Sequence, residues 1–152
     1  MMRTLKVLAI VLVTSLVLFA AESPFSGTWK LNAAKSKLPP PAVKSETAVV
    51  DADDNGLKFK NDVIDANGQQ VKVSYEAKFD GKDYPVTGDP STDSISYQRV
   101  NANTLKGTVK KDGKVAGTFT VTVSKDGKVT TVEFVDNSQE KSVKGVAVYD
   151  KQ

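Results

Sequence analysis

The chain has no cysteine and no histidine in its 152 residues. Without a thiolate or an imidazole it lacks every nucleophilic triad that depends on either, and the usual zinc, copper, iron–sulfur and haem ligand sets. It also has no disulfide to hold a small exported fold together, so any stability must come from its core. A chain of about 130 residues can manage that, because a domain of that size buries roughly two-thirds of its unfolded surface. The expectation is a non-enzymatic protein with no cofactor. The routes left to an enzyme are paired carboxylates or a Ser-Lys arrangement, and neither has a local spacing that stands out.

Long hydrophobic runs are scarce too. The longest is Val7–Phe19, 13 residues interrupted only by Thr14 and Ser15, and Arg3 and Lys6 precede it. About 20 apolar residues are needed to cross a bilayer. A short apolar run behind a basic start reads instead as a signal peptide. Residues 1–20 are assigned to it, with cleavage after Ala20, which leaves Leu18 and Ala20 rather than bulky Phe19 at the positions the peptidase reads. The mature part, residues 21–152, is expected to be one domain, periplasmic or secreted, monomeric and without a stable membrane anchor.

Clustered positive charge is likewise missing. Removing Arg3 and Lys6 from the 21 basic residues leaves 19 against 18 acidic ones, a net of +1, and Arg99 is the one arginine beyond the leader. Lysines alternate with acids instead of forming a stripe, which argues against nucleic acid as a partner.

What the chain has in quantity is hairpin chemistry. Asn55-Gly56, Asn67-Gly68, Asp80-Gly81, Asp112-Gly113 and Asp126-Gly127 punctuate it at near-even spacing, each suited to the positive backbone angles of a two-residue turn. Asp-Gly-Lys recurs at Asp80, Asp112 and Asp126, but the surrounding residues differ, so the triplet is a repeated turn solution and not a repeat unit. Between the turns lie runs rich in Val, Thr, Phe and Tyr. In Gln70 to Phe79, Val71, Val73, Tyr75, Ala77 and Phe79 share one face against Lys72, Ser74, Glu76 and Lys78. That period of two means one dry and one wet side. Val115, Gly117, Phe119, Val121 and Val123 repeat the pattern, as do Ile95, Tyr97 and Arg99.

Strands are predicted at Thr28–Asn32, Glu46–Asp51, Leu57–Asp65, Gln70–Phe79, Ser94–Val100, Thr104–Lys110, Lys114–Ser124, Lys128–Val135 and Ser142–Tyr149, with a short extra piece at Asp83–Val86. The sole stretch with helical potential, Ala33–Lys37, meets Pro39-Pro40-Pro41 at once. Eight to ten sequential antiparallel strands must close up or stack, and even hairpin spacing favours an all-β, up-and-down antiparallel barrel.

The opening Phe25-Ser26-Gly27-Thr28-Trp29-Lys30-Leu31 resembles the Gly-x-Trp first strand of lipocalins and fatty-acid-binding proteins, the calycin barrels. Lys125–Thr131 followed by Gly145–Lys151 is similar to the last strands of fatty-acid-binding proteins. The opening and Asp80–Gly88 together also resemble a group of small exported bacterial proteins. The resemblance implies a lipocalin-like barrel. Two departures stand out: the position of the family's carboxylate-clamping Arg is Ala147, and its helical lid is replaced by the proline-rich Lys35–Lys44. The resemblance further implies a basic residue of the last strand stacked on the Trp, for which Lys144 is the nearest candidate.

The candidate ligand contacts are Tyr75, Phe79, Tyr97, Arg99, Phe119 and Tyr149, all expected to face inward. For the aromatics, packing alone is the competing explanation. An inward Arg99 would need a partner or water, such as a ligand carboxylate or phosphate, unless it snorkels to the rim. Trp29 is expected to plug the closed end as core. Small inward residues at Ala77, Gly107, Gly117 and Gly145 lean toward an open interior. Asp51-Ala52-Asp53-Asp54-Asn55-Gly56 matches the start of an EF-hand loop with Asp62 at the twelfth position, but its flanks are strand-like, and an Asn-Gly hairpin explains it better. No metal is expected.

The leading expectation is therefore an exported binding protein, a carrier or sensor that holds a small apolar or amphipathic molecule, of lipid character or similar, inside the barrel. The competing one is an envelope interaction or inhibitor module with a filled barrel and contacts on the Lys35–Lys44 and Thr87–Asp93 loops.

Overall fold

The computed structural model describes residues 22–152. The leader assignment falls on residues outside that range. Ten antiparallel strands follow the chain: β1 (Gly27–Leu31), β2 (Ser45–Ala52), β3 (Gly56–Ile64), β4 (Gln70–Lys78), β5 (Tyr84–Pro85), β6 (Ser94–Asn101), β7 (Thr104–Lys111), β8 (Lys114–Val123), β9 (Val129–Asp136) and β10 (Val143–Lys151). Each lies within two residues of its expected span. Local chemistry sets the turns: Gly113 and Gly127 take φ of 76° and 72°, as their hairpins require.

The strands form one sheet in the order β4-β3-β2-β1-β10-β9-β8-β7-β6-β5. First and last strands pair, Trp29 opposite Lys151 and Leu31 opposite Tyr149, which leaves β4 and β5 as the two edges. These edges meet through a few bonds only. Ser74 and Thr87 exchange backbone hydrogen bonds of 2.9 Å each, and the Gly81 N–H donates to the Tyr97 carbonyl at 2.9 Å. The result is a nearly closed, up-and-down barrel, compatible with a calycin-like fold, and closure of this kind hides edge backbone that would otherwise be free to aggregate.

Between β1 and β2 the chain forms one 3-10 turn, Ala33–Lys35, capped by the Asn32 side chain. It then runs along the first part of β10, which β1 does not reach, where Lys37 and Val146 bond reciprocally at 2.7 and 2.9 Å. The expected helix is no longer than this single turn.

Two bulges alter the expected phase. Gly117 pairs with Val109 and Val115 with Lys110, so Ala116 is an extra residue on β8. A one-residue slip sends every side chain beyond it to the opposite face. Val115 accordingly stands 48% exposed and does not belong to the inner face on which the alternation placed it. A second irregularity between Arg99 and Asn101 ends the inward phase of β6 at Arg99.

The core concentrates at one end of the barrel, where Phe25, Trp29, Ala52, Leu57, Ala77, Leu105 and Val123 are all buried. Trp29 plugs it, with Nε1 donating to the Phe25 carbonyl at 3.0 Å and Ser26 Oγ donating to the Ala52 carbonyl at 3.1 Å beneath it. The basic side chain over the indole comes from Lys151, whose Nζ lies 5.6 Å from the ring centroid. Lys144 does not take that place. It pairs opposite Val135 in the outward phase and is exposed, three residues before the inward, buried Ala147.

Asp51–Gly56 forms the β2–β3 hairpin. Its Asp53 Oδ1 accepts the N–H groups of Asn55 and Gly56 at 2.7 and 3.0 Å, an Asx-type turn. Those two backbone donors hold the Asp53 carboxyl below its ordinary range.

Candidate functional site

Above the Trp29 plug the interior encloses a cavity of about 210 Å³. Inward-facing residues of nine strands, every one but β5, build it. Trp29, Phe25 and Leu105 form its floor, and Phe59, Tyr75, Tyr97, Phe119 and Val121 its aromatic and aliphatic wall. Glu46, Thr130, Val132 and Tyr149 complete the lining on the side of β2, β9 and β10.

The aromatic wall is one continuous ladder. Phe59 stacks on Tyr75 at 4.7 Å, Tyr75 tilts against Tyr97 at 6.2 Å, and Tyr97 meets Phe119 edge-on at 5.3 Å. The Tyr75 and Tyr97 hydroxyls are 2.6 Å apart. They belong to β4 and β6, so this hydrogen bond spans the seam where backbone pairing runs out. Burial drives the Tyr97 phenol up to about 12 and the Tyr75 phenol well above its ordinary value, so both remain neutral donors and acceptors across the physiological range.

The structure brings four of the six expected contacts, Tyr75, Tyr97, Phe119 and Tyr149, around one cavity. Phe79 and Arg99 are not in its lining. They pack against each other at the Trp29 end, the Arg99 guanidinium 5.2 Å from the Phe79 ring centroid. Arg99 Nη2 donates to the Asp53 carbonyl at 3.4 Å, so the charged head is held at the rim rather than in the cavity. The small inward residues do not supply the space either. A Cβ on Gly107 would fall in the Phe119 ring, and one on Gly145 in the Phe134 ring, so cross-strand aromatics already occupy the room those glycines leave.

The residue that sequence reasoning missed is Glu46. It shares the inward phase of Ala48, Val50 and Ala52 on β2, and it is the one carboxylate in the cavity wall, with no lysine or arginine among the described residues lining that wall. Asn61, diagonally across on β3, donates Nδ2 to Glu46 Oε1 at 2.7 Å. The Tyr149 phenol stands beside the same carboxyl. Burial raises the Glu46 carboxyl above its ordinary range, and the donors Asn61 and Tyr149 offset only part of that. Next to Tyr149 in the inward row of β9 is Thr130, whose buried Oγ1 has no hydrogen-bond partner.

The site therefore offers an apolar, aromatic volume with one carboxyl and two hydroxyls, those of Thr130 and Tyr149, on its β2–β9–β10 side. Such an arrangement can orient a small guest. Among the described residues no group of three or more acidic side chains converges to hold a metal ion. No protein-family model matches the chain, and none of the curated proteins is similar to it.

Proposed function

We propose that the protein is an exported, non-enzymatic carrier or sensor of the lipocalin-like kind, which holds one small apolar or amphipathic molecule inside its barrel. The observation that carries this reading is the interior cavity itself: a mainly aromatic lining with a few convergent polar groups is the usual form of a small-molecule site. Its 210 Å³ bounds the guest. An apolar protein cavity of about 150 Å³ holds benzene, whereas drug-sized ligands occupy about 300–1,000 Å³. A single ring with a short substituent fits, and an extended acyl chain does not.

Trp29 lies in the cavity floor and is the protein's one tryptophan, so its emission reports on occupancy. Native mass spectrometry of the protein purified from its own envelope is expected to show a stoichiometric small adduct, and toluene is expected to change Trp29 emission saturably. An unliganded mass together with emission that toluene, p-cresol and indole all leave unchanged would overturn the proposal.

A further inference from the structure

We propose that the guest is a small primary amine, bound as its ammonium ion with the charged end on Glu46 and its apolar body against the Phe59–Tyr75–Tyr97–Phe119 ladder. The inference deepens the carrier reading and rests on it.

Charge comes first. The cavity wall carries one carboxyl and, among the described residues, no cationic side chain. An anionic headgroup would meet an unneutralised acid in a poorly solvated space. A buried carboxylate whose partners are all neutral remains costly unless it takes up a proton or acquires a counter-ion. Asn61 and the Tyr149 phenol are such neutral partners, and burial outweighs both. A guest ammonium supplies the missing charge.

Donor and acceptor counts agree. An ammonium carries three N–H donors and no acceptor. The lining offers acceptors to match: the carboxyl itself and the Tyr149 hydroxyl beside it, with the unpartnered Thr130 Oγ1 in the same lining on the strand next to Tyr149. Aromatic faces attract cations as well, and four rings line the remaining space. The volume admits a body of about one ring, as argued above, so short aliphatic or monocyclic amines are the matching class.

The test is an isosteric trio, benzylamine, toluene and benzoate, titrated at neutral pH into the wild-type protein and Glu46→Gln, with Trp29 emission and native mass spectrometry as readouts. Benzylamine is expected to bind wild type at least about tenfold more tightly than benzoate, the scale of a charge-assisted hydrogen bond. Glu46→Gln is expected to remove that preference and leave toluene within about twofold, which also verifies that the variant is folded. If benzoate binds wild type as well as benzylamine does, or if Glu46→Gln leaves the ratio unchanged, the amine assignment is overturned while toluene binding preserves the carrier reading. If none of the three binds saturably, both readings fall.

Discussion

The two ends of the barrel are built from the same alternating strands yet do opposite work. At the Trp29 end, side chains from β1, β2, β3, β4, β7 and β8 meet until Leu105 is only 1% exposed. At the Glu46 end, the inward positions of β2 and β3 are a carboxyl and an amide, Glu46 and Asn61, joined by a 2.7 Å hydrogen bond, and the cavity lining has no cationic side chain among the described residues. Interiors that serve only to pack almost never take in a carboxyl without a charged partner. One end thus behaves as a core, and the cavity above it as a place prepared for something else. The contrast predicts that substitutions at the first end cost stability and that substitutions at the second change binding and pH response.

The largest effect is expected at the plug. Trp29→Ala should cost about 3–5 kcal/mol and Leu105→Ala about 2–5 kcal/mol, the range for truncating large buried side chains, read as shifts in denaturation midpoint by circular dichroism. If Trp29→Ala cost less than about 1 kcal/mol, the Trp29 end would not be the core and the comparison would fail.

The seam comes next. Tyr75→Phe removes one hydroxyl of the 2.6 Å pair and leaves the buried Tyr97 hydroxyl unpartnered, a loss of about 1–3 kcal/mol. Because this bond joins β4 to β6 where backbone pairing is sparse, amide exchange should accelerate in β4, β5 and β6 before it does in β9 and β10. Uniform acceleration would mean that the hydroxyl pair contributes packing and no closure.

The third prediction concerns pH. Burial raises the folded Glu46 carboxyl above its ordinary 4.5. An acid with a raised folded value contributes stability that is complete below the unfolded value and is lost as pH climbs through the folded one. Asp80 and Asp126 do the reverse. The Tyr84 hydroxyl and the Lys82 N–H lower the first, the Ser124 hydroxyl and the Lys128 N–H the second. Their contribution is therefore present above the ordinary aspartate value and fades as the solution is acidified. Stability measured from acid toward neutral pH should rise with the hairpin aspartates and then fall with Glu46. Glu46→Gln should abolish the falling limb alone. A profile unchanged by that substitution would show that Glu46 is solvated and that the cavity is wet on its β2 side.

Most of this fold is legible in the chain because hairpin turns and period-two alternation are local signals. Gln70–Phe79 reads as β4 without help, since its inward set is apolar throughout and its outward set polar. Val115 misleads, because the bulge at Ala116 leaves no mark in the pattern of polarity and is recognised only from the register of the neighbouring strand. The stacking partner of Trp29 is similarly a matter of register: Lys144 and Lys151 are both lysines of β10, and pairing with β1 puts Lys151 opposite the indole. The cavity was partly legible. Its rings fall in phase on strands with clear alternation, but its volume depends on how far those rings cross over, and the glycines that hint at space are filled by Phe119 and Phe134.

Glu46 and Arg99 are the sharpest form of the comparison, since each is a charged residue in phase with inward neighbours on its own strand. Arg99 is conspicuous as the lone arginine among the described residues. Glu46 hides among 18 acids, although its phase with Ala48, Val50 and Ala52 carries the same signal. What separates them is reach. The long Arg99 side chain leaves the interior along Phe79 and ends near the Asp53 carbonyl, so its charge lies outside the cavity lining. The short Glu46 side chain cannot follow such a path and keeps its carboxyl in the wall. Arg99→Ala should therefore cost only about 0.5–1 kcal/mol, the scale of an exposed cation–π contact, and leave affinity for toluene and benzylamine unchanged. If it weakened binding as much as Glu46→Gln does, the guanidinium would have to swing inward when a guest arrives, and the division of the barrel into a packed end and a receptive one would dissolve.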